Sequence, residues 1–197
     1  MASLSDVGVM SESDTGQDPQ TQTLRYYPPI RRYITQIAIG QHQPQKPVDH
    51  VWQNILQHYF RTSHYTVERV RLIVSVVNSR NKQWLHEVIV VEAKKPTGRA
   101  PTEHKWNGVR QQLQKDNMLA FRNRLGNVQT MYGVAAVGFR ARFYVFLFMN
   151  QNALVSDTED GILANDEVVL DLCDDEQNIH LLLEAKLARI NNRQNNN

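Results

Sequence analysis

The spacing of apolar residues along the chain alternates between a helical period and a strand-like period. Apolar residues recur at intervals of three and four in three segments, which indicates amphipathic helices. Between these segments they alternate with polar residues or form short β-branched runs, which is typical of strands. The pattern predicts a helix over 48–60, strands over 65–77 and 84–94, a helix over 103–124, strands over 128–137 and 142–148, and a helix over 174–190.

This mixture of helices and strands predicts a single α/β domain over 25–190 whose core lies within 47–148. The sheet is expected to be mixed, with about four to five strands flanked by helices. Residues 88–91 are apolar on both faces, so their strand is expected at the centre of the sheet, covered on both sides. Upstream, the alternation within 33–39 predicts a short edge strand or an extended arm.

The long helix after the second strand has recognisable ends. Thr102 is expected to cap its N-terminus, with Glu103 in the first turn, where the helix dipole favours a carboxylate. Gly126 follows the last turn and is expected to terminate the helix. Counting onward by three and four residues predicts one buried stripe: Trp106, Val109, Leu113 and Ala120.

Both ends of the chain differ in composition from the body. Residues 1–24 are rich in Ser, Asp, Gln and Thr and contain no aromatic residue, and residues 191–197 are mainly Asn. Such segments bury too little apolar surface to fold, so both are predicted to be disordered. Residues 151–167 are predicted to form an acidic loop.

Charge is distributed unevenly, although the whole chain carries only +2. Residues 25–150 have a net charge of +13, whereas residues 1–24 and 151–197 carry −4 and −7. A strongly basic body indicates a polyanionic partner, and nucleic acid, DNA or RNA, is the expected one. The alternatives are that the acidic C-terminal part packs against the basic body, or that it competes with nucleic acid for the same surface. Homo-oligomerisation stays open.

Two further features bear on the compartment. No stretch approaches the roughly 20 apolar residues of a membrane span, and no basic segment followed by an apolar one marks a secretory signal, so no membrane partner is expected. The single cysteine, Cys173, allows no internal disulfide and is expected to be a small buried residue. These features favour an intracellular protein, cytoplasmic or nuclear.

The strongest candidate chemistry lies at the end of the second strand. Glu92 and Lys94 are two residues apart, so strand geometry places both side chains on one face of the sheet. They follow an apolar, buried run, where charge is costly unless it has a purpose. A carboxylate that binds Mg²⁺ or Mn²⁺, beside a lysine that orients water or stabilises developing charge, is suited to phosphodiester hydrolysis.

The segment 90–96, Val-Val-Glu-Ala-Lys-Lys-Pro, together with a preceding helix and hairpin and a following helix, resembles the PD-(D/E)XK, or restriction-endonuclease-like, nucleases. The resemblance covers about 48–148 and includes strands similar to those of stand-alone fungal members. It implies a restriction-endonuclease-like core and Mg-dependent nuclease activity. It also implies roles for Glu92 as metal ligand and catalytic residue, for Lys94 as catalytic residue, and for Gln112, on the following helix, as a residue that steadies the site.

The chain departs from the family pattern at one position. Family members normally place an Asp on the first hairpin strand, but residues 69–85 contain no acid. Glu68 and Asp49 are the candidate replacements as metal ligands. If neither serves, the chain is a degenerate nuclease that binds nucleic acid or another protein without cutting. The same tripeptide recurs as Glu184-Ala185-Lys186 within the last predicted helix, where the two side chains diverge and no catalytic role is expected.

Several bases follow Lys94 closely. A cluster of Lys and Arg on one surface neutralises the phosphates that a nucleic acid presents. An ordinary solvated basic face is the alternative interpretation. The candidate nucleic-acid-binding residues are Lys95, Arg99, Lys105 and Arg110.

Overall fold

The computed structural model describes residues 28–39, 46–61, 64–68, 72–77, 85–97, 99–125, 130–147, 153–157 and 168–195. The segment 1–24, Gly126 and most of the acidic loop lie outside these residues. The elements in chain order are α1 (Pro28–Ile39), α2 (Lys46–Tyr59), β1 (Tyr65–Glu68), β2 (Ile73–Val77), β3 (Leu85–Lys94), α3 (Glu103–Gln112), a π-helical segment (Leu113–Leu119), α4 (Ala120–Leu125), β4 (Met131–Val137), β5 (Arg140–Phe146), β6 (Leu154–Ser156), β7 (Leu170–Asp171) and α5 (Glu176–Asn195).

The strands form one seven-stranded mixed sheet in the order β1-β2-β3-β4-β5-β6, with β7 also paired to β5. Neighbouring strands are antiparallel except β3 and β4, which are parallel. A parallel pair requires a crossover, and α3, the π-helical segment and α4 supply it. The sequence prediction of an α/β domain with a central mixed sheet flanked by helices is therefore confirmed, although the sheet has more strands than expected.

Each face of the sheet has its own apolar core. We call the side covered by α3 and the π-helical segment the front face, where Val90 and Ala135 contact Trp106 and its neighbours. We call the other side the back face, where Val91 and Val134 join residues of α2 and α5, with α1 packed on α2. The sheet is thus buried on both sides, as the apolar run over 88–91 predicted.

The predicted strand over 65–77 is wrong, because the structure has two antiparallel strands there. β1 and β2 pair from Tyr65 opposite Val76 to Glu68 opposite Ile73. Tyr65 and Val74 both belong to the back core. They are nine positions apart, and a single straight strand would place residues an odd number apart on opposite faces. The hairpin therefore places Tyr65 and Val74 on the same face of the sheet, whereas a single strand would place them on opposite faces.

The edge strand or arm predicted over 33–39 is also wrong, because this segment belongs to α1. Pro28 and Pro29 occupy its first turn, where a missing backbone N–H costs nothing. Ile30 and Ile37 are buried and Ile34 packs against the same core. These three isoleucines have helical i, i+4, i+7 spacing, whereas Ile37 and Ile39 also fit strand alternation, and packing against α2 decides between the two.

The predicted helix over 103–124 is present but is not a regular α-helix throughout. Thr102 caps it as expected, with its hydroxyl accepting a hydrogen bond from the backbone N–H of Lys105 at 3.3 Å. After Leu113 the π-helical segment adds an extra residue per turn, so the next buried apolar side chains are Met118 and Phe121. Ala120, predicted to lie on the buried stripe, is exposed.

The C-terminal part contains more structure than predicted. The acidic loop includes the short strand β6, which pairs with β5. The last helix begins at Glu176 rather than at 174 and continues to Asn195, into the tail predicted to be disordered. Cys173, expected to be buried, is exposed, because its neighbour Leu172 fills the core instead. No helix among the described residues is long and apolar enough to cross a membrane.

Candidate functional site

Glu92 and Lys94 share the front face at the C-terminal end of β3, as predicted. Lys94 Nζ lies 2.7 Å from Glu92 Oε1, and the two side chains are 20% and 25% exposed for Glu92 and Lys94, respectively. On the parallel neighbour β4 they lie beside Ala135 and Val137. The pair is therefore partly desolvated but still accessible to a ligand. Partial desolvation strengthens any charge interaction made there.

The amide that contacts Glu92 comes from the π-helical segment. Asn117 is 8% exposed, and its Nδ2 donates a hydrogen bond to Glu92 Oε2 at 2.9 Å. Gln112, the predicted partner, is exposed at the end of α3. The i+5 step between the apolar residues Leu113 and Met118 is the sequence signal that could have indicated the π-helical turn, which is frequent at functional sites.

The close approach of this segment to the sheet depends on a glycine. A Cβ atom added to Gly133 of β4 would lie 2.9 Å from Leu113 Cδ2 and 3.1 Å from Met118 Cε. A side chain here would force the ends of Leu113 and Met118 to move. Gly133 therefore lets these two side chains pack directly on β4.

A second glycine, Gly138, holds the C-terminal end of β3 in place. The backbone N–H of Gly138, in the turn between β4 and β5, donates to the carbonyl of Lys94 at 3.0 Å. Gly138 has a φ of 62°, and a Cβ there would lie 2.9 Å from Cβ of Pro96. A side chain at this position would be both strained and crowded, so glycine keeps the end of β3 in place.

The two predicted replacement acids lie at different distances from this site. Glu68 is exposed and in register with Ile73 and Val90, so it occupies the front face two strands away from β3 and about 12 Å from Glu92 between Cα atoms. Asp49 belongs to α2, which covers the back face. Among the described residues, no three His, Cys, Asp or Glu side chains form a group that could hold a metal ion.

The predicted nucleic-acid-binding bases divide into two kinds. Lys95 and Arg99 are exposed and Lys105 is half-buried, so these three remain available to a polyanion. Arg110 is committed to the fold, since its guanidinium donates to the carbonyl of Leu154 at 2.9 Å and lies 5.6 Å from the ring centroid of Tyr144. Part of the basic charge therefore stabilises the fold and is not available to a polyanionic ligand.

Arg142 is a charged residue that sequence reasoning missed. It is 5% exposed on the front face of β5, with its guanidinium 4.9 Å from the ring centroid of Trp106. Both carboxylate oxygens of Glu103 accept hydrogen bonds from it, one of them at 3.0 Å. The hydrogen bond from Arg142 holds the pKa of Glu103 below its usual value. The two residues are 39 positions apart, so no local pattern indicates the pair.

The second Glu-Ala-Lys tripeptide has a separate environment. Glu184 is exposed, whereas Lys186 is 1% exposed and lies 2.7 Å from Asp157 Oδ2. Nζ of Lys186 also lies 4.9 Å from the ring centroid of Tyr132 on the back face. The side chains diverge as predicted, and Lys186 is an interior residue.

The acidic C-terminal part contacts the basic body through an ion pair and through packing of α5 on the sheet. Arg140 Nε lies 3.6 Å from Asp171 Oδ2, and α5 packs into the back core. α5 covers the face opposite Glu92, whereas Leu154 of β6 packs into the front core and its carbonyl accepts the hydrogen bond from Arg110. None of the family models, curated proteins or solved structures compared with this chain matches it.

Proposed function

We propose that this chain is a metal-dependent phosphodiesterase that cleaves nucleic acid with the Glu92–Lys94 pair. The observation that carries the proposal is the contact at 2.7 Å between these two side chains on the front face. A carboxylate and an ammonium at the open end of a central strand are the groups that phosphoryl transfer requires.

The order of elements supports the resemblance to PD-(D/E)XK nucleases. α2 precedes an antiparallel hairpin, β2 and β3, and β3 ends in the acid-x-Lys sequence. α3 then follows, as in the pattern on which the resemblance rests.

The donor set at Glu92 fits Mg²⁺ or Mn²⁺ in its chemistry. Glu92 is a hard oxygen ligand, and each carboxylate oxygen retains a lone pair after accepting from Lys94 or Asn117. Mg²⁺ in phosphate-transfer sites commonly uses one or two carboxylates, with substrate phosphates and waters completing its shell. When bound, the metal would polarise the phosphoryl oxygens. Glu68, on the same face, is the proposed second acid.

The chain's own residues have distinct roles in this proposal. Lys94 would orient the attacking water or stabilise the negative charge that develops on the phosphate. Asn117, by fixing one carboxylate oxygen, would keep Glu92 in a single orientation. Lys95, Arg99 and Lys105 would bind flanking phosphates.

Cleavage of plasmid, single-stranded DNA and RNA with Mg²⁺ or Mn²⁺ tests the proposal. We expect activity that EDTA abolishes and that Lys94→Ala reduces by about 10²- to 10³-fold, the usual effect of removing one charge-stabilising donor. Lys46→Ala is the control, since it removes an exposed lysine at the start of α2, on the opposite face, and should leave activity unchanged. Absence of cleavage of every substrate would reject the proposal.

A second candidate is a nucleic-acid-binding module that does not cut. The observation that favours it is that the described residues contain no group of three metal-ligating side chains. This candidate predicts binding that weakens steeply with salt and is unaffected by EDTA. Retained binding without cleavage would support it.

A further inference from the structure

We propose that Arg142 forms a second phosphate-binding site on the front face, and that the Glu103 carboxylate occupies this site until a phosphate of a nucleic-acid strand replaces it. This proposal rests on the proposed function in taking nucleic acid as the substrate class. It adds a binding residue outside the Glu92–Lys94 pair and assigns a regulatory role to Glu103.

The first argument is that the buried guanidinium of Arg142 needs a neighbouring anion. A guanidinium that is 5% exposed must have a charged partner, because an isolated buried charge is strongly disfavoured. Its two parallel N–H donors fit a carboxylate or a phosphate equally well. Trp106 holds the plane of the guanidinium by stacking, so the site keeps its shape when the anion is exchanged.

The second argument is the asymmetry within the pair. The side chain of Arg142 is 6% exposed, but that of Glu103 is 64% exposed in the first turn of α3. The carboxylate that neutralises the guanidinium is thus largely in contact with water, which can solvate it readily once it is released. A phosphate that takes the position of this carboxylate would remain at the protein surface and would need no opening of the core.

The third argument is position. Glu92 pairs in register with Ala135, and Ala135 pairs with Arg142, so the two charged residues lie on one row of the front face. Two strand spacings separate them by about 10 Å between Cα atoms. Ala135 is fully buried between them, so a bound strand would pass over the first turn of α3, where Glu103 lies.

The test measures binding rather than cleavage. A labelled single-stranded DNA of about 12 nucleotides is titrated with the full chain in EDTA, and affinity is read by fluorescence anisotropy. We expect Glu103→Gln to tighten binding roughly tenfold, because the competing carboxylate is removed. The control Asp116→Asn removes another exposed acid and should change affinity by less than about twofold, since an exposed charge without a specific contact is screened by salt.

Arg142→Gln, alone and combined with Glu103→Gln, completes a double-mutant cycle. It should weaken binding, make the slope of log K against log salt shallower by about 0.7, and abolish the gain from Glu103→Gln in the double variant. Equal gains from Glu103→Gln and Asp116→Asn, a gain that persists without Arg142, or no binding by any variant would each overturn the proposal. If Arg142→Gln does not fold, the comparison of the two acid variants decides alone.

The same measurements separate this proposal from the proposed function. Coupling between Glu103 and Arg142 in a chain that cuts nothing would retain the phosphate site and reject the nuclease. Cleavage that depends on Lys94, with equal gains in binding affinity from the two acid variants, would support the nuclease and reject the phosphate site.

Discussion

The sequence Glu-Ala-Lys occurs twice in this chain, and the two copies have opposite environments. In β3, residues two apart point to the same side, so Glu92 and Lys94 contact each other at 2.7 Å. In α5, residues two apart differ by about 200° around the helix axis, so Glu184 is exposed and Lys186 is buried.

The comparison shows that the partner of the lysine, rather than the tripeptide, decides its role. Lys186 pairs with Asp157, which comes from a different element, and both side chains are almost inaccessible to water. Lys94 pairs with its own near neighbour and stays one-quarter exposed. The first arrangement leaves no space for a substrate, whereas the second is accessible from solvent.

The largest expected effect that distinguishes the copies is on stability. Lys186→Ala should lower the free energy of unfolding by about 3–5 kcal/mol, because it removes the ammonium that lies 2.7 Å from the buried carboxylate of Asp157. Urea denaturation followed by circular dichroism measures the change. Glu184→Ala, at the exposed end of the same tripeptide, should change stability by no more than about 0.5 kcal/mol.

A double variant tests the cause of that loss. Asp157→Leu combined with Lys186→Met leaves no unpaired charge, so it should be more stable than Lys186→Ala by about 2 kcal/mol or more. A double variant as unstable as Lys186→Ala would mean that the loss comes from the missing contact between the Lys186 ammonium and the Tyr132 ring rather than from an unpaired charge.

The sequence indicated the parts of the fold whose patterns are local and unambiguous. α2, β3, β4, β5 and α5 follow from apolar periodicity, and the shared face of Glu92 and Lys94 follows from strand geometry. α1 was missed because residues 33–39 also fit strand alternation, and only packing on α2 distinguishes the helix from a strand.

Parts of the site could not be derived in this way for a different reason. Asn117 reaches Glu92 because the helix changes register at Leu113, and an α-helical count cannot anticipate that change. Glu103 meets Arg142 through the pairing of β3, β4 and β5, which brings together residues that are distant in the chain. The contact between Glu103 and Arg142 therefore depends on the assembled sheet rather than on a local pattern.

An intermediate effect is expected at Asn117, which has no counterpart in the α5 copy. Asn117→Ala should reduce cleavage by about tenfold or more, the usual effect of removing a group that orients a metal ligand. The reduction should be smaller at high Mg²⁺ concentration, because a less ordered Glu92 weakens metal binding. Asn117→Gln tests for rescue, and an equal loss at every Mg²⁺ concentration would instead indicate a structural role.

The smallest expected effect concerns the stability of the β3 copy. Lys94→Ala should change the free energy of unfolding by less than about 1 kcal/mol, since a partly exposed ion pair contributes little and Glu92 keeps its hydrogen bond from Asn117. The same urea denaturation used for Lys186→Ala measures it. A loss as large as that of Lys186→Ala would mean that the pair is structural in both copies, and the loss of cleavage in Lys94→Ala would then no longer support a catalytic role.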